Sequence, residues 1–173
     1  MDHYAERKFT MKKKIFFAVI LCCYCYPSAA AQWKFLYKTE ELSVFKDSSS
    51  PLHGYKAEGI IEGNIFELMA VVADLPRRSQ WLKNLHSTEV VEGNIAATAI
   101  LYERYDFPWP ASNRDIVTLS KARIDYKTLI IEVDYHQIED PRRPPHGDFV
   151  RIPKAEGTIF FKYLNPTQTF TSN

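Results

Sequence analysis

Along most of the chain apolar and polar residues alternate one by one, and in a single stretch they recur at three- and four-residue spacing. The first pattern is that of a strand with one buried face, the second that of an amphipathic helix. Trp33 to Tyr37 leads into a short strand over Leu42 to Asp47, ended by Ser48-Ser49-Ser50-Pro51, and Tyr55 to Glu62 follows as a second. Asn64 then opens a helix. Glu67 three residues later makes a capping-box-like start, and Ile65, Leu68, Met69 and Val72 fall on one side. Asp74-Leu75-Pro76 ends it and begins a shorter helix through Asn84 that carries Arg77, Arg78 and Trp81. From Ser87 onward the pattern is all strand, over Ser87 to Glu92, Thr98 to Phe107, Asp115 to Arg123, Thr128 to His136 and Phe149 to Leu164. Gly93-Asn94 and Asp125-Tyr126-Lys127 mark turns, and the proline-rich run Asp140 to Gly147 an extended loop. Short links between sequential strands predict an antiparallel meander. Thr167 to Thr171 reads as the opening of one more strand.

The run Leu101 to Leu119 is the most informative. Leu101, Glu103 and Tyr105 share one face of its first strand, and Tyr102, Arg104 and Asp106 the other. Pro108 and Pro110 remove two backbone donors, so no ladder runs through them and the chain must turn there. Ser112 and Asn113 supply turn chemistry before Arg114-Asp115 opens the next strand, giving a hairpin-like pair with a rigid aromatic elbow. On that second strand Ile116, Thr118, Ser120 and Ala122 share a face and are modest in size, as a concave face with room for a guest requires; a face packed by a helix reads the same way. Glu103 falls on the inferred cavity side. A carboxylate buried there needs a partner, and Arg78, Arg114 or a ligand hydroxyl are the candidates; an exposed residue on a strand edge is the plainer alternative.

Pro108-Trp109-Pro110 followed by Ser112-Asn113-Arg114-Asp115, with Arg78-Ser79-Gln80-Trp81 before it, resembles the motif of START domains, the lipid-binding modules, and most of all their phosphatidylcholine-transfer type. The resemblance spans the chain after residue 31. It implies an α+β fold of the helix-grip, START/Bet v 1-like class: a curved antiparallel sheet, a helical insert after strand 2, and a C-terminal helix closing a tunnel. The sequence to Asn173 lacks that last helix, so the domain is read as C-terminally truncated, with its apolar lining open to water and a tendency to instability or oligomerisation. The resemblance further implies that Arg78 holds a lipid phosphate, which an Arg can do bidentately. The acidic residue that accompanies that Arg in the family is Leu82 here, and the two aromatic positions that cage choline fall on Glu103 and Ile116. Selectivity for choline is therefore not carried over. The expected ligand-binding set is Arg78, Trp81, Leu101, Glu103, Tyr105, Arg114, Ile116, Thr118 and Ser120.

Composition adds that 14% of the 173 residues are aromatic, large side chains that must line a core or a cavity. Lys12-Lys13-Lys14, the apolar run Ile15 to Tyr26 and the small residues Ser28-Ala29-Ala30-Ala31 read as a signal peptide over residues 1–31, with Met11 as a second candidate start. The run is short for a membrane span, which needs about 20 apolar residues. Cys22, Cys23 and Cys25 all lie in it, so residues 32–173 hold no thiol for a disulfide or for catalysis, and neither Leu21 nor Cys22 is the small residue that lipid attachment needs at the preceding position. Of 22 basic and 21 acidic side chains the leader takes five and two, leaving 17 and 19 and no basic field for nucleic acid. His53, His86, His136 and His146 occur singly, and no metal site or cofactor is expected. The function expected is a secreted, periplasmic or extracellular carrier of one hydrophobic molecule, with transient membrane contact. The rival is a grip-fold enzyme, a cyclase or hydrolase, using Glu103 with a nearby His; a truncated, non-functional remnant is a third reading.

Overall fold

The structure, a computed structural model, describes residues 32–49 and 54–173. The predicted leader and its three cysteines lie outside the described residues. Ten strands follow in chain order: β1 (Trp33–Lys38), β2 (Leu42–Asp47), β3 (Gly54–Glu62), β4 (Leu85–Gly93), β5 (Thr98–Tyr105), β6 (Arg114–Asp125), β7 (Ile130–Gln137), β8 (Val150–Arg151), β9 (Glu156–Asn165) and β10 (Gln168–Ser172). Helix α1 (Ile65–Ala73) and a 3-10 segment (Leu75–Gln80) stand between β3 and β4. The strands form one sheet in the order β1-β2-β3-β10-β9-β7-β6-β5-β4, with β8 set parallel on β6. All the other pairings are antiparallel, so the expected meander holds from β4 to β7 and the chain then returns through β9 and β10 to pair with β3.

Two boundaries differ from expectation for local reasons. Trp33–Lys38 is a full strand, held to β2 by its ladder and by an edge-to-face contact of Phe35 with Phe45 at 5.8 Å, so the helical insert follows the third strand rather than the second. The run from Phe149 to Leu164 is broken at Pro153, which has no N–H to give a ladder; β8 and β9 therefore pair with different strands. The second helix expected to reach Asn84 closes as a 3-10 turn by Gln80, and Asn84 takes a positive φ of 64° before β4.

Asn64 caps α1 by accepting from the Phe66 N–H at 2.9 Å. The helix lays Ile65, Met69 and Val72 on Ile131, Val133, Ile159 and Phe161 of β7 and β9. It thus covers part of the concave face and leaves the rest to the strands beyond.

On the opposite face the elbow and the loop after β7 are fastened by Asp115, which is fully buried. Arg151 donates to both its oxygens, Nε to Oδ1 at 2.8 Å and Nη2 to Oδ2 at 2.9 Å, and the Tyr102 hydroxyl donates at 3.1 Å. Burial disfavours the charge on Asp115, but the Arg151 hydrogen bonds and positive charge outweigh it and hold the carboxyl below its ordinary value. A group shifted down on folding stabilises the protein above its unfolded pKa, about 3.9 for Asp, and loses that contribution as the pH falls through the native value. Asp115→Ala, which strands a buried guanidinium, is expected to cost about 3–5 kcal/mol in urea unfolding at pH 7. The gap to wild type should narrow only as the pH falls below about 4.

Candidate functional site

The concave face of a sheet is read by parity, and the register places one inward set side by side: Leu101 opposite Thr118, Glu103 opposite Ile116 and Ala99 opposite Ser120 on β5 and β6, then Ser120 opposite Tyr135 on β7. These side chains are small or short at the centre. Above them stand Leu68, Val71 and Val72 of α1 and Arg78, Trp81 and Leu82 of the 3-10 segment and the turn after it. Between sheet and helices lies a cavity of about 780 Å³, whose far wall is Ala57, Ile61, Val133, Ile159 and Phe161. Gly157 contributes by what it lacks. A Cβ there would stand 2.6 Å from the Tyr135 hydroxyl, so the bare backbone is what lets that ring lie along the cavity wall.

The walls are mainly apolar with scattered neutral polar groups, Thr118, Ser120, Tyr135, Thr171 and Asn173, and their charged side chains stand at one place. Glu103 is 6% exposed, and its Oε1 lies 2.8 Å from Arg78 Nη1. The Thr88 hydroxyl donates to the same oxygen at 3.3 Å, and the Tyr105 hydroxyl donates to Oε2 at 2.8 Å. Burial, and after it the neighbouring Glu103 carboxylate, push the Tyr105 hydroxyl far above its ordinary value, so it keeps its proton and remains a donor. The Trp81 ring stacks 5.8 Å from the Arg78 guanidinium carbon. Among the described residues Nε of Arg78, like Nη1 of Arg151, is buried and finds no acceptor.

Eight of the nine residues expected at the site line this cavity: Arg78, Trp81, Leu101, Glu103, Tyr105, Ile116, Thr118 and Ser120. Arg114 does not. It shares their parity but begins β6 opposite Tyr105, at the end of the sheet past the cavity, and Glu103 takes its cation from Arg78 instead. Trp109, at the apex of the elbow, is 93% exposed and plugs no core; Asn113 closes the turn beneath it by accepting from the Phe107 N–H at 3.0 Å. Sequence reasoning missed the helix side of the wall, Leu68, Val71 and Val72, whose spacing announces a buried stripe without saying that part of it faces a hollow. It also missed Tyr135, whose parity with Val133 on β7 could have placed it. Among the described lining residues none is a histidine, so the acid/base pair of the enzyme reading, Glu103 with a His, is not assembled there. Among the described residues no group of three His, Cys, Asp or Glu side chains is placed to hold a metal ion.

A model of the START domain matches residues 27–152, the stretch that contains the elbow, Arg78 and Glu103. The chain belongs to the START family. Bovine phosphatidylcholine transfer protein (Bos taurus) is 28% identical over 129 residues, 72% of this chain and 60% of that protein. The chain thus spans about 60% of the length of the curated relatives it matches first. Its fold is that of human STARD10, with a TM-score of 0.74 at 20% identity over 84% of this chain and 60% of that one. The STAR-related lipid transfer protein of Xanthomonas axonopodis gives a TM-score of 0.71 at 22% identity, over 82% of this chain and 78% of that one. The carboxylate beside Arg78 in this START domain comes from β5, as Glu103.

A hollow and a packed face respond differently to added bulk. Ser120→Leu, which pushes methyl groups into the cavity, is expected to change stability by less than about 1 kcal/mol. Val117→Phe on the other face, where Val117 is fully buried, should cost about 1–3 kcal/mol or more; denaturant midpoints of the two variants decide it.

Proposed function

We propose that this START domain binds a single lipid in the cavity between its sheet and its helical insert, and carries it between membranes. The observation that carries the reading is the apolar hollow of about 780 Å³ with one buried polar couple at its edge. That is the form of a site for a molecule with a long apolar body and a small polar head, and its size is ordinary for one guest. The family membership and the phosphatidylcholine transfer proteins among the relatives support it. Burying a lipid tail gains about 0.8 kcal/mol per CH₂, so such a cavity competes with the bilayer, and the work is transfer of binding rather than bond-making. Leu101, Ile116, Thr118 and Ser120 touch the body of the ligand in this reading, and Arg78, Trp81, Glu103 and Tyr105 its head.

Transient membrane contact is part of the proposal. The exposed Trp109 with Phe107 and Trp81 stands at the end of the sheet where β5 stops and β4 starts, and aromatic side chains of this kind favour the bilayer interface. Among the described residues no helix is long and apolar enough to cross a membrane. Export through the leader of residues 1–31 completes the proposal, with a carrier that works in a periplasmic or extracellular space.

Mass spectrometry of the purified full chain should find a co-purified lipid in about equimolar amount. Thr118→Trp, which projects an indole into the cavity, is expected to cut lipid transfer between donor and acceptor vesicles at least about tenfold while circular dichroism keeps the strand signal. Unchanged transfer would sink the reading. For the leader, protein recovered from the export compartment of a secreting bacterial host should have Gln32 as its first residue; an intact N-terminus would refute cleavage.

A further inference from the structure

The following rests on the membrane contact proposed above and adds a second site to it, far from the elbow along the sheet. On the edge strand β1, Lys34 stands opposite Lys46 of β2, and Lys46 stands in turn opposite Tyr55 of β3. Like charges directly opposite each other across a strand pair repel. Nothing on that face answers them. The next row is Tyr37, Val44 and Ala57, and among the described residues the lysines that hold ion pairs are others, Lys56 with Glu58 at 2.7 Å and Lys154 with Glu156 at 3.1 Å. Asp47, the acid at this end of the strands, lies on the other face with Trp33 and is buried, its Oδ1 accepting from the Ser49 N–H and hydroxyl. Glu40 and Glu41 are at the opposite end, in the turn between β1 and β2.

Aromatic rings flank the two charges. Lys46 Nζ is 6.0 Å from the centre of the exposed Tyr55 ring, and on the other face Lys56 Nζ is 5.6 Å from that of the exposed Trp33. Indole and phenol rings beside lysines are the side chains that settle at the level of lipid head groups. Their place in the fold suits a flat partner. Followed strand by strand, the antiparallel ladders lead from the start of β3 through the ends of β10 and β7 to the start of β6, so Trp33 and Tyr55 stand at the same end of the sheet as the Trp109 elbow. The cavity reaches that end between them, through Tyr105, Ile152 and Ala155.

We propose that Lys34 and Lys46, with Trp33 and Tyr55 beside them, form a second membrane anchor that takes the anionic head groups of a bilayer, so that the domain rests on two points with its cavity between them. A negative surface relieves the repulsion between the lysines, which makes docking more favourable than either charge alone would. The rings and the end shared with the elbow fit a bilayer better than an acidic protein.

The test sediments the full chain with vesicles of phosphatidylcholine alone and of phosphatidylcholine with an equal part of phosphatidylglycerol. The mixed vesicles should bind it at least about tenfold more tightly at low salt, and the gap should close as salt is added. Lys34→Gln with Lys46→Gln should weaken binding to the mixed vesicles at least about tenfold and to phosphatidylcholine alone less than about twofold. Residues 1–31 are common to both proteins, so their contribution cancels in the comparison. Lys127→Gln with Lys162→Gln takes the same charge from the opposite end of the sheet and should change binding less than about twofold. Equal losses in the two double variants, no loss in either, or a loss seen with poly-glutamate and not with vesicles overturns the inference. Mass spectrometry of lipid retained through gel filtration reports the cavity separately. Retained lipid without the lysine effect overturns the anchor and leaves the carrier reading standing; the lysine effect without retained lipid supports the anchor and refutes the carrier.

Discussion

The structure depends on the pairing register of β5 against β6. Strand side chains alternate faces, so a slip of one residue would exchange every inward group for an outward one. In the register observed, Glu103, Ile116, Thr118 and Ser120 face the hollow, while Asp115 and Val117 face the other way and are sealed completely. Two features hold it there. The proline elbow limits where the turn can sit, and the Tyr102 hydroxyl of β5 donates across the pair to Asp115 of β6, a bond that a one-residue slip would break by moving one of the two to the other face.

That clamp and the Arg78–Glu103 couple are the same kind of interaction on opposite faces of one sheet, with different consequences. Asp115 is fully satisfied, by two bonds from Arg151 and one from Tyr102, and works as a structural rivet. Glu103 is satisfied too, and among the described residues each arginine keeps one buried N–H without an acceptor, Nη1 on Arg151 and Nε on Arg78. What separates them is their place: the clamp lies in a packed face, whereas Arg78 and Glu103 are among the residues that line the cavity.

The cavity survives because helix α1 covers only part of the concave face. Ile65, Met69 and Val72 spend their bulk on β7 and β9. Over β5 and β6 nothing comparable descends, and the residues there, Ala99, Thr118 and Ser120, are too small to fill the space. Interiors are otherwise close-packed, so a hollow of this size lined by small residues is a feature of the design of the face and not slack in it.

Much of this was legible from residue order. Alternation along 98–107 and 115–123 declared two strands and their faces, the prolines around Trp109 declared the turn between them, and Asn64 with its apolar stripe declared the helix, because each signal acts within a few residues of itself. The same reasoning placed Leu101, Glu103, Tyr105, Ile116, Thr118 and Ser120 on one side. Parity could not say where along the sheet the hollow ends, and so it kept Arg114, which lies past that end. Nor could it choose between Arg78 and Arg114 as the partner of Glu103, count Leu68 and Val71 into the wall, or foresee that Pro153 divides the last long run into β8, which pairs with β6, and β9, which pairs with β7. Those outcomes turn on distances between segments far apart in the chain, and a distance of that kind exists only once the sheet has curved and the helix has settled on it.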